Sequence, residues 1–462
     1  MRAIQPRTCQ AQGVFHVDQV MSFPEIKARS TQKHLLILCA TTSYQTQAFA
    51  EAARKLGLKV VFGTDRCHVL EDPWQDGALP LRFDDAEQCA REIVDFSRKT
   101  PIDAVVALGD RPTAAAARAC QALGLPYHPV GAVDVCRDKY RSRERLRTGD
   151  LRVPAFTRHL YSADPGELAG SSPGFPCVLK PLSLSGSRGV IRADNAEQFV
   201  AAFERIRDLL SSPEVQVLRE EATRFIQVEA YIAGAEVAVE AVVDRGQLEV
   251  LAIFDKPDPL EGPYFEETLY VTPSRLPREA QRTVIDTLAQ AVRVLRLAHG
   301  PLHAEFRLDR QNVAGDGLAP RVWVLEIAAR PMGGLCSRAL RFSSPTLGEG
   351  FSLEELLIHL AFGKNVHDVR RETAASGVMM VPIPRGGIYE SVEGVEEALS
   401  QPGVEDIVIT AKPGQRLVPL PEGSSYLGFI FARGTSPPRV EDALRRAHEK
   451  LCFAIAPALP VI

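Results

Sequence analysis

Lys180 ends an apolar run, Phe175-Pro176-Cys177-Val178-Leu179, and an ammonium at the end of a buried strand is costly unless it meets an anion. Ser183-Leu184-Ser185-Gly186-Ser187-Arg188-Gly189 follows, a turn of small residues whose backbone N–H groups and hydroxyls can close over phosphates. A lysine beside such a loop is a phosphate cradle, although the same residues also suit an ordinary hairpin with an exposed lysine. Upstream, Asp138-Lys139-Tyr140 offers a second cation for phosphate, or simply opens a solvated basic helix. Downstream, Val228-Glu229-Ala230-Tyr231-Ile232-Ala233-Gly234-Ala235-Glu236 is a strand entering a glycine turn. The backbone at Ala230, Tyr231 and Ile232 can pair with an adenine edge while Glu236 accepts from ribose hydroxyls, unless both acids belong to a surface hairpin.

Two acidic strands lie further on, His303-Ala304-Glu305-Phe306-Arg307 and Val322-Trp323-Val324-Leu325-Glu326-Ile327-Ala328-Ala329-Arg330. Glu326 ends an apolar strand, where a carboxylate is seldom satisfied without a cation. Glu305 and Glu326 on neighbouring strands would make a Mg2+ site, because this hard cation takes one or two carboxylates plus phosphate oxygens. Arg330 adds a fixed positive charge suited to an oxyanion or a phosphoryl group in transfer; a structural Glu–Arg pair is the alternative. His303 shares a face with Glu305 by period-two alternation, as a neighbour of the metal or as a structural histidine. The Pro- and Gly-broken segment from Asp255 to Thr268 is expected to line an acceptor pocket, with Glu266 or Glu267 pairing a substrate ammonium, or else to be a solvated acidic loop. Gly333 and Gly334, just past Arg330, can offer N–H groups to a carboxylate.

These groups need a framework to hold them. The chain has 462 residues, 45% hydrophobic and 24% charged, which is globular composition and excludes collagen and disulfide-scaffold classes. Its 54 basic and 58 acidic residues leave a net charge of −4 with no long cationic block, so nucleic acid is not an expected partner. Nine cysteines, without a C-x-x-C pair, indicate neither a disulfide framework nor a zinc site. No apolar run reaches the length of a membrane span, and the expected location is the cytoplasm.

The pattern first alternates strand and helix: Leu35 to Cys39, a helix near Gln47 to Leu56, Leu58 to Phe62, then Ile102 to Leu108 and an Ala-rich helix from Pro112 to Leu123 ending at Gly124. That is a small parallel α/β domain. Its first turn, Ala40-Thr41-Thr42-Ser43, lacks G-x-G-x-x-G, which argues against a dinucleotide site there. From about residue 139 hairpin-like strands take over, followed by an amphipathic helix from Glu279 to Ala298. After about 370 a helix, two strands and a closing helix suggest a compact C-terminal lobe, with the stretches 381–388 and 413–424 as connectors.

The ordered conjunction of a small α/β domain, Lys139, Lys180 with its glycine loop, Glu229 with Glu236, and the pair Glu305 and Glu326 resembles an ATP-grasp enzyme over about residues 33–462. Tyr426-Leu427-Gly428-Phe429-Ile430-Phe431-Ala432 and the closing helix are similar to the L-amino-acid ligase and carboxylate–amine ligase branch, which shares the biotin-carboxylase-like arrangement. The resemblance implies an N-terminal pre-ATP-grasp α/β domain over 33–138, an α+β ATP-grasp domain over 139–370 whose two subdomains hold ATP between them, and an α+β C-terminal lobe over 371–462, behind a poorly ordered extension, 1–32. It also implies that Lys139 and Lys180 contact phosphates, that Ser185, Gly186, Ser187 and Gly189 belong to a flexible phosphate loop, and that Glu229 to Ile232 and Glu236 hold adenine and ribose. Glu305 and Glu326 would bind Mg2+, with Mn2+ as a substitute, and Arg330 with Gly333 and Gly334 would bind an acyl phosphate or its tetrahedral successor. The family commonly has Glu-x-Asn-x-Arg where this chain has Glu326-Ile327-Ala328-Ala329-Arg330, so an amide ligand is missing.

The activity implied is an ATP-dependent ligation: a carboxylate attacks the γ-phosphate to give an acyl phosphate, and an amine then displaces phosphate. Small-molecule carboxylates and amines, most plausibly amino acids, are the expected partners, with a homodimer as a family-level expectation. The rivals are a carboxylase or formate-type ligase on the same scaffold, and a nucleotide-binding module without turnover.

Overall fold

The computed structural model describes residues 32–41, 43–65, 78–170, 173–309 and 320–458; the extension expected over 1–32 lies almost entirely outside them. The first parallel sheet forms where the sequence alternates: β1 (His34–Cys39), β2 (Lys59–Thr64), β3 (Leu79–Pro80) and β4 (Ala104–Leu108), in the order β3-β2-β1-β4. Leu35 to Leu38 are wholly buried, as expected of a parallel strand covered on both faces. The helix Thr46–Lys55 follows β1, Ala86–Ser97 is capped by the Asp85 carboxylate at the Gln88 N–H, and Asp110–Leu123 ends at Gly124 in the left-handed conformation. Strand order reverses beside β1, and the turns at the C-terminal ends of β1 and β4 therefore open into a crevice.

A second sheet holds β5 (Phe156–Leu160), β6 (Cys177–Pro181), β7 (Ile191–Ala193) and β8 (Phe225–Ala230), ordered β5-β8-β6-β7 and antiparallel. The helix Ala196–Ser211 covers it with Phe199, Phe203 and Ile206, all buried.

The third sheet has eight strands. Its first part is β9 (Ala235–Asp244), β10 (Gln247–Asp255), β11 (Leu269–Thr272), β12 (Gly300–Leu308) and β13 (Val322–Ala328). The helix Arg278–Leu295 packs Val284, Leu288 and Leu295 against it, on the face that the apolar spacing marks out. Three short strands, β14 (Arg341–Ser344), β15 (Gly348–Ser352) and β16 (Arg370–Arg371), form a separate sheet. Beyond them come β17 (Ala375–Val381), β18 (Gly387–Glu393), β19 (Val404–Ile409), β20 (Arg416–Leu417), β21 (Gly428–Gly434) and β22 (Cys452–Ala456).

The large sheet runs β13-β12-β9-β10-β11-β17-β21-β19. Residues after 370, read from the sequence as a lobe of their own, thus supply three of its strands, because β17 pairs with β11 from Leu269↔Met379 to Thr272↔Ser376. The stretch expected as a connector near 381–388 holds the end of β17 and the start of β18. The first helix expected after about 370 is short, Val395–Leu399, since β18 continues to Glu393 and Gly394 turns the chain at φ 82°. No helix among the described residues is long and apolar enough to cross a membrane, and no disulfide joins the described cysteines.

Gly234 makes the turn from β8 into β9 at φ 145°, and a Cβ there would stand 1.9 Å from the Leu308 carbonyl oxygen. Leu308 is the register partner of Ala235, so that clash would pry the ends of β9 and β12 apart. Gly234→Ala is expected to cost about 2 kcal/mol or more, read as a lowered midpoint in thermal or urea unfolding.

Candidate active site

The three sheets meet around a cavity of about 420 Å3. Its walls include Lys139, Lys180, Ser185, Gly186 and Ser187 on one side, and Ala230, Tyr231, Ile232 and Glu236 at the turn after β8. Glu305, Glu326, Arg330, His303, Gly333 and Gly334 line it as well. Of the two acids singled out in the 255–268 segment, Glu267 lines the cavity and Glu266 does not.

Strand register builds the acidic floor. Glu305 on β12 stands directly opposite Glu326 on β13, with a bulge just after Glu305. His303 stands opposite Ala328, so an imidazole faces the place where the missing amide would be. The His303 ring contacts Glu240 Oε2 at 3.1 Å through Nδ1 and Glu305 Oε1 at 3.6 Å through Nε2. Burial alone would lower its pKa, but the two carboxylates raise it to about 9; the ring is a cation at neutral pH. Two carboxylates in opposite register are the oxygen-donor set that Mg2+ takes, and nothing on the strand supplies the amide.

Lys256, which follows β10, sits among three carboxylates. Its Nζ donates to Glu236 Oε1 at 2.8 Å, to Glu305 Oε1 at 3.0 Å and to Glu267. One acceptor oxygen from each of these acids lies within 4.8 Å of the others, and the ammonium holds their repulsion in check. Glu267 also accepts from the Tyr270 hydroxyl at 3.1 Å, and burial lifts its carboxyl above the usual carboxylate range in spite of Lys256. Glu236, expected to meet ribose, spends its second oxygen on Arg307 Nε at 2.8 Å.

The phosphate side is organised by Glu229. Its carboxylate takes Lys180 Nζ at 2.6 Å, Arg143 Nε at 2.8 Å and Gln227 Nε2 at 2.6 Å, and Arg143 reaches on to the Leu325 carbonyl. Burial would push the Glu229 carboxyl up, but the Arg143 and Lys180 cations hold it down at about 2. Lys180 is itself lowered by burial, with Glu229 opposing. Lys139 opens the helix Lys139–Thr148 behind the Asp138 cap, donates to the Leu184 carbonyl at 2.9 Å and lies 4.0 Å from Glu326.

The loop 183–189 turns through Gly186 (φ 64°), Ser187 (φ 56°) and Gly189 (φ 74°). Gly189 is not a wall of the cavity: its N–H donates to the Pro421 carbonyl at 2.8 Å, and Arg188 Nε donates to the Glu422 carbonyl at 2.6 Å. The stretch expected as a connector, 413–424, is therefore a strap across this loop.

Arg330 is reached from the first sheet. Asp110, at the C-terminal end of β4, accepts from Arg330 Nε at 2.8 Å, and its carboxyl is held below the usual range by Arg330 although burial opposes this. Sequence reasoning passed over Asp110, Arg143 and Lys256 as site residues. Two of them carried a readable signal: Asp110 follows a buried parallel strand, where sites of this architecture gather, and Lys256 follows an apolar strand as Lys180 does. Arg143 lies within a run of basic residues that looks solvated, and only the fold buries it.

Since Glu229 has its pKa depressed from 4.5 to about 2, its contribution to stability is present above pH 4.5 and disappears as pH falls through 2. Glu229→Gln is expected to destabilise the protein by about 3 kcal/mol at neutral pH by leaving two buried cations without their anion. In acid titration of urea midpoints, the variant should show a flatter fall between pH 4.5 and 2 than the parent.

Three family models match the chain: ATP-grasp N-terminal domain over residues 50–127, ATP-grasp domain over 173–339 and L-amino acid ligase C-terminal domain 2 over 379–456. The crystal structure of an L-amino acid ligase from Bacillus licheniformis superposes with a TM-score of 0.76 at 25% identity, covering 92% of this chain and 99% of that one. A biotin carboxylase from Campylobacter jejuni shares the fold, with a TM-score of 0.61 at 13% identity over 91% of this chain and 92% of its own. An alanine–anticapsin ligase of Bacillus subtilis is 26% identical over 260 residues, 54% of this chain and 52% of the relative, so the chain spans about half the length of that protein. With these matches falling on the strands, loop and strap that enclose the cavity, the chain belongs to the ATP-grasp family and carries a C-terminal domain like that of L-amino acid ligases.

Proposed function

We propose that this protein joins the carboxylate of one amino acid to the amine of another at the expense of ATP, through an acyl phosphate, releasing ADP and phosphate. The observation that carries this reading is the register of Glu305 against Glu326 on the floor of one cavity that also presents Lys139, Lys180 and Arg330. No serine or cysteine stands in that set as an activated nucleophile; Cys336 lines the cavity, but burial pushes its thiol well above its ordinary value. What the residues supply is positioned charge, which is what phosphoryl transfer needs.

In this reading Lys139 and Lys180 bind the nucleotide phosphates, and Glu229 fixes Lys180 in its buried position. The loop 183–189 covers the phosphates, kept in place by the strap at Pro421 and Glu422. Ala230 to Ile232 offer backbone groups to adenine, and Glu236 lies at the same turn for the ribose. Glu305 and Glu326 hold Mg2+, which would neutralise the phosphate charge. Arg330, anchored by Asp110, faces the acyl phosphate and its tetrahedral successor beside Gly333 and Gly334. Glu267 receives the ammonium of a substrate. An acyl phosphate survives only in a dry site, which the placement of this cavity between three sheets favours.

Purified protein with Mg-ATP and pairwise amino acids is expected to release ADP only when amino acids are present, and Glu326→Ala is expected to lower that release by about 100-fold or more. Chelation should abolish it and added Mg2+ or Mn2+ restore it. Nucleotide binding with no ADP release across the whole panel would sink this proposal, and release stimulated by bicarbonate or formate alone would replace it with the carboxylase reading.

A further inference from the structure

Beyond the phosphate side, the cavity has a compartment of different chemistry. Tyr44 from the turn after β1, Tyr426 from the end of the strap, Tyr270 on β11, Met332, Met380 and Cys336 wall it. The wall is braced from behind: Phe429, wholly buried, meets Tyr44 at 5.5 Å and Tyr426 at 5.9 Å between ring centroids, both edge-on. Gln45 Nε2, buried, donates to the Met332 carbonyl at 2.7 Å and locks the first-sheet turn to the loop after β13. Gly334 packs closely on the same ring, since a Cβ there would come within 2.9 Å of Phe429.

Four of the cations around the cavity are each paired with a carboxylate. Lys180 is held by Glu229, Lys256 by three carboxylates, Arg307 by Glu236 and Arg330 by Asp110. No lysine, arginine or histidine is among the six residues that wall the compartment, so an acidic substrate side chain entering it would lose its hydration without meeting a counter-charge there. An apolar or aromatic one would meet rings and thioethers, which suit it. Position fits the same occupant. Glu267 borders the compartment by accepting from the Tyr270 hydroxyl, and an oxygen of it lies within 4.8 Å of one of Glu305. In an α-amino acid the ammonium and the carboxylate share one carbon. An ammonium at Glu267 therefore leaves the carboxylate near the Glu305 and Glu326 pair, with the side chain directed among the three tyrosines.

We infer that the compartment bounded by Tyr44, Tyr270, Tyr426, Met332, Met380 and Cys336 receives the side chain of the acyl-donor amino acid, and that this donor is aromatic or large and apolar. The inference rests on the ligase reading above and adds the substrate class to it.

The test is a donor panel with Mg-ATP and a fixed mixture of amine acceptors, with ADP release as the rate and mass spectrometry to read which amino acid supplies the carbonyl. Phe, Tyr, Leu and Met as donors are expected to exceed Gly, Ala, Ser, Asp and Lys in kcat/KM by about tenfold or more. Tyr44→Ala should raise KM for Phe by about tenfold while leaving KM for ATP in place, and Tyr44→Phe should recover most of that loss. At Gly333 a Cβ meets nothing within 4 Å, so Gly333→Leu can project a side chain into the cavity and should turn the preference toward small donors. Preference of the parent protein for small or charged donors, or an equal rise of both KM values in Tyr44→Ala, would overturn this inference alone. Absence of ADP release with every amino-acid pair would overturn it together with the ligase reading.

Discussion

Charges removed from water, each matched by a charge of the other sign, are the constraint on which this cavity depends. A buried carboxylate or ammonium costs several kcal/mol unless its partner is close and its remaining hydrogen bonds are made. Glu229 meets that condition with Arg143, Lys180 and Gln227, Lys256 with Glu236, Glu267 and Glu305, and Arg330 with Asp110. None of these clusters lies within one sheet's strands alone. Asp110 belongs to the first sheet and Arg330 to the loop after the third; Lys180 and Glu229 belong to the second, while Arg143 ties them to β13 through the Leu325 carbonyl. The Arg330–Asp110 and Arg143–Glu229 pairs thus act as joints between parts of the fold, while Lys256 ties together segments of the third sheet.

Such an arrangement holds the cavity walls more firmly on one side than on the other. Lys180 is fixed from behind by Glu229, and Glu305 and Glu326 are fixed by strand register. The loop 183–189, by contrast, has three residues in the left-handed region; Leu184 anchors it in the core, Ser185 and Gly186 are exposed, and its end is held by hydrogen bonds to Pro421 and Glu422. A loop held by a few polar contacts at the surface opens at low cost, which a site that must admit a nucleotide and then exclude water requires. The amino-acid side is stiffer, with Phe429 and Gln45 bracing its walls from the core.

Much of this was legible in the sequence. Alternating apolar runs and helical spacing place β1, β4 and the helix Arg278–Leu295 to within a few residues, because burial on known faces follows from period alone. Lys180, Glu305, Glu326 and Arg330 announce themselves as charges on or just past apolar strands. Other residues gave no such sign. Arg143 reads as one basic residue among five in the helix Lys139–Thr148, yet it is 1% exposed. Tyr44 and Tyr426 are 382 positions apart and meet only through Phe429.

By itself, then, the sequence determined which residue types could do phosphate and metal chemistry and on which strand ends they stand, since the cost of a charge on an apolar strand is a local property. Which charges neutralise which was decided by the tertiary structure, because strand order brings β12 beside β9 and β17 beside β11, and neither pair is consecutive in the chain. The continuity of the large sheet into the last ninety or so residues is of the same kind: backbone hydrogen bonding between β11 and β17 carries no side-chain signature. The amino-acid compartment belongs wholly to that second category, its walls coming from the first sheet, the loop after β13 and the strap, which only the folded chain brings face to face.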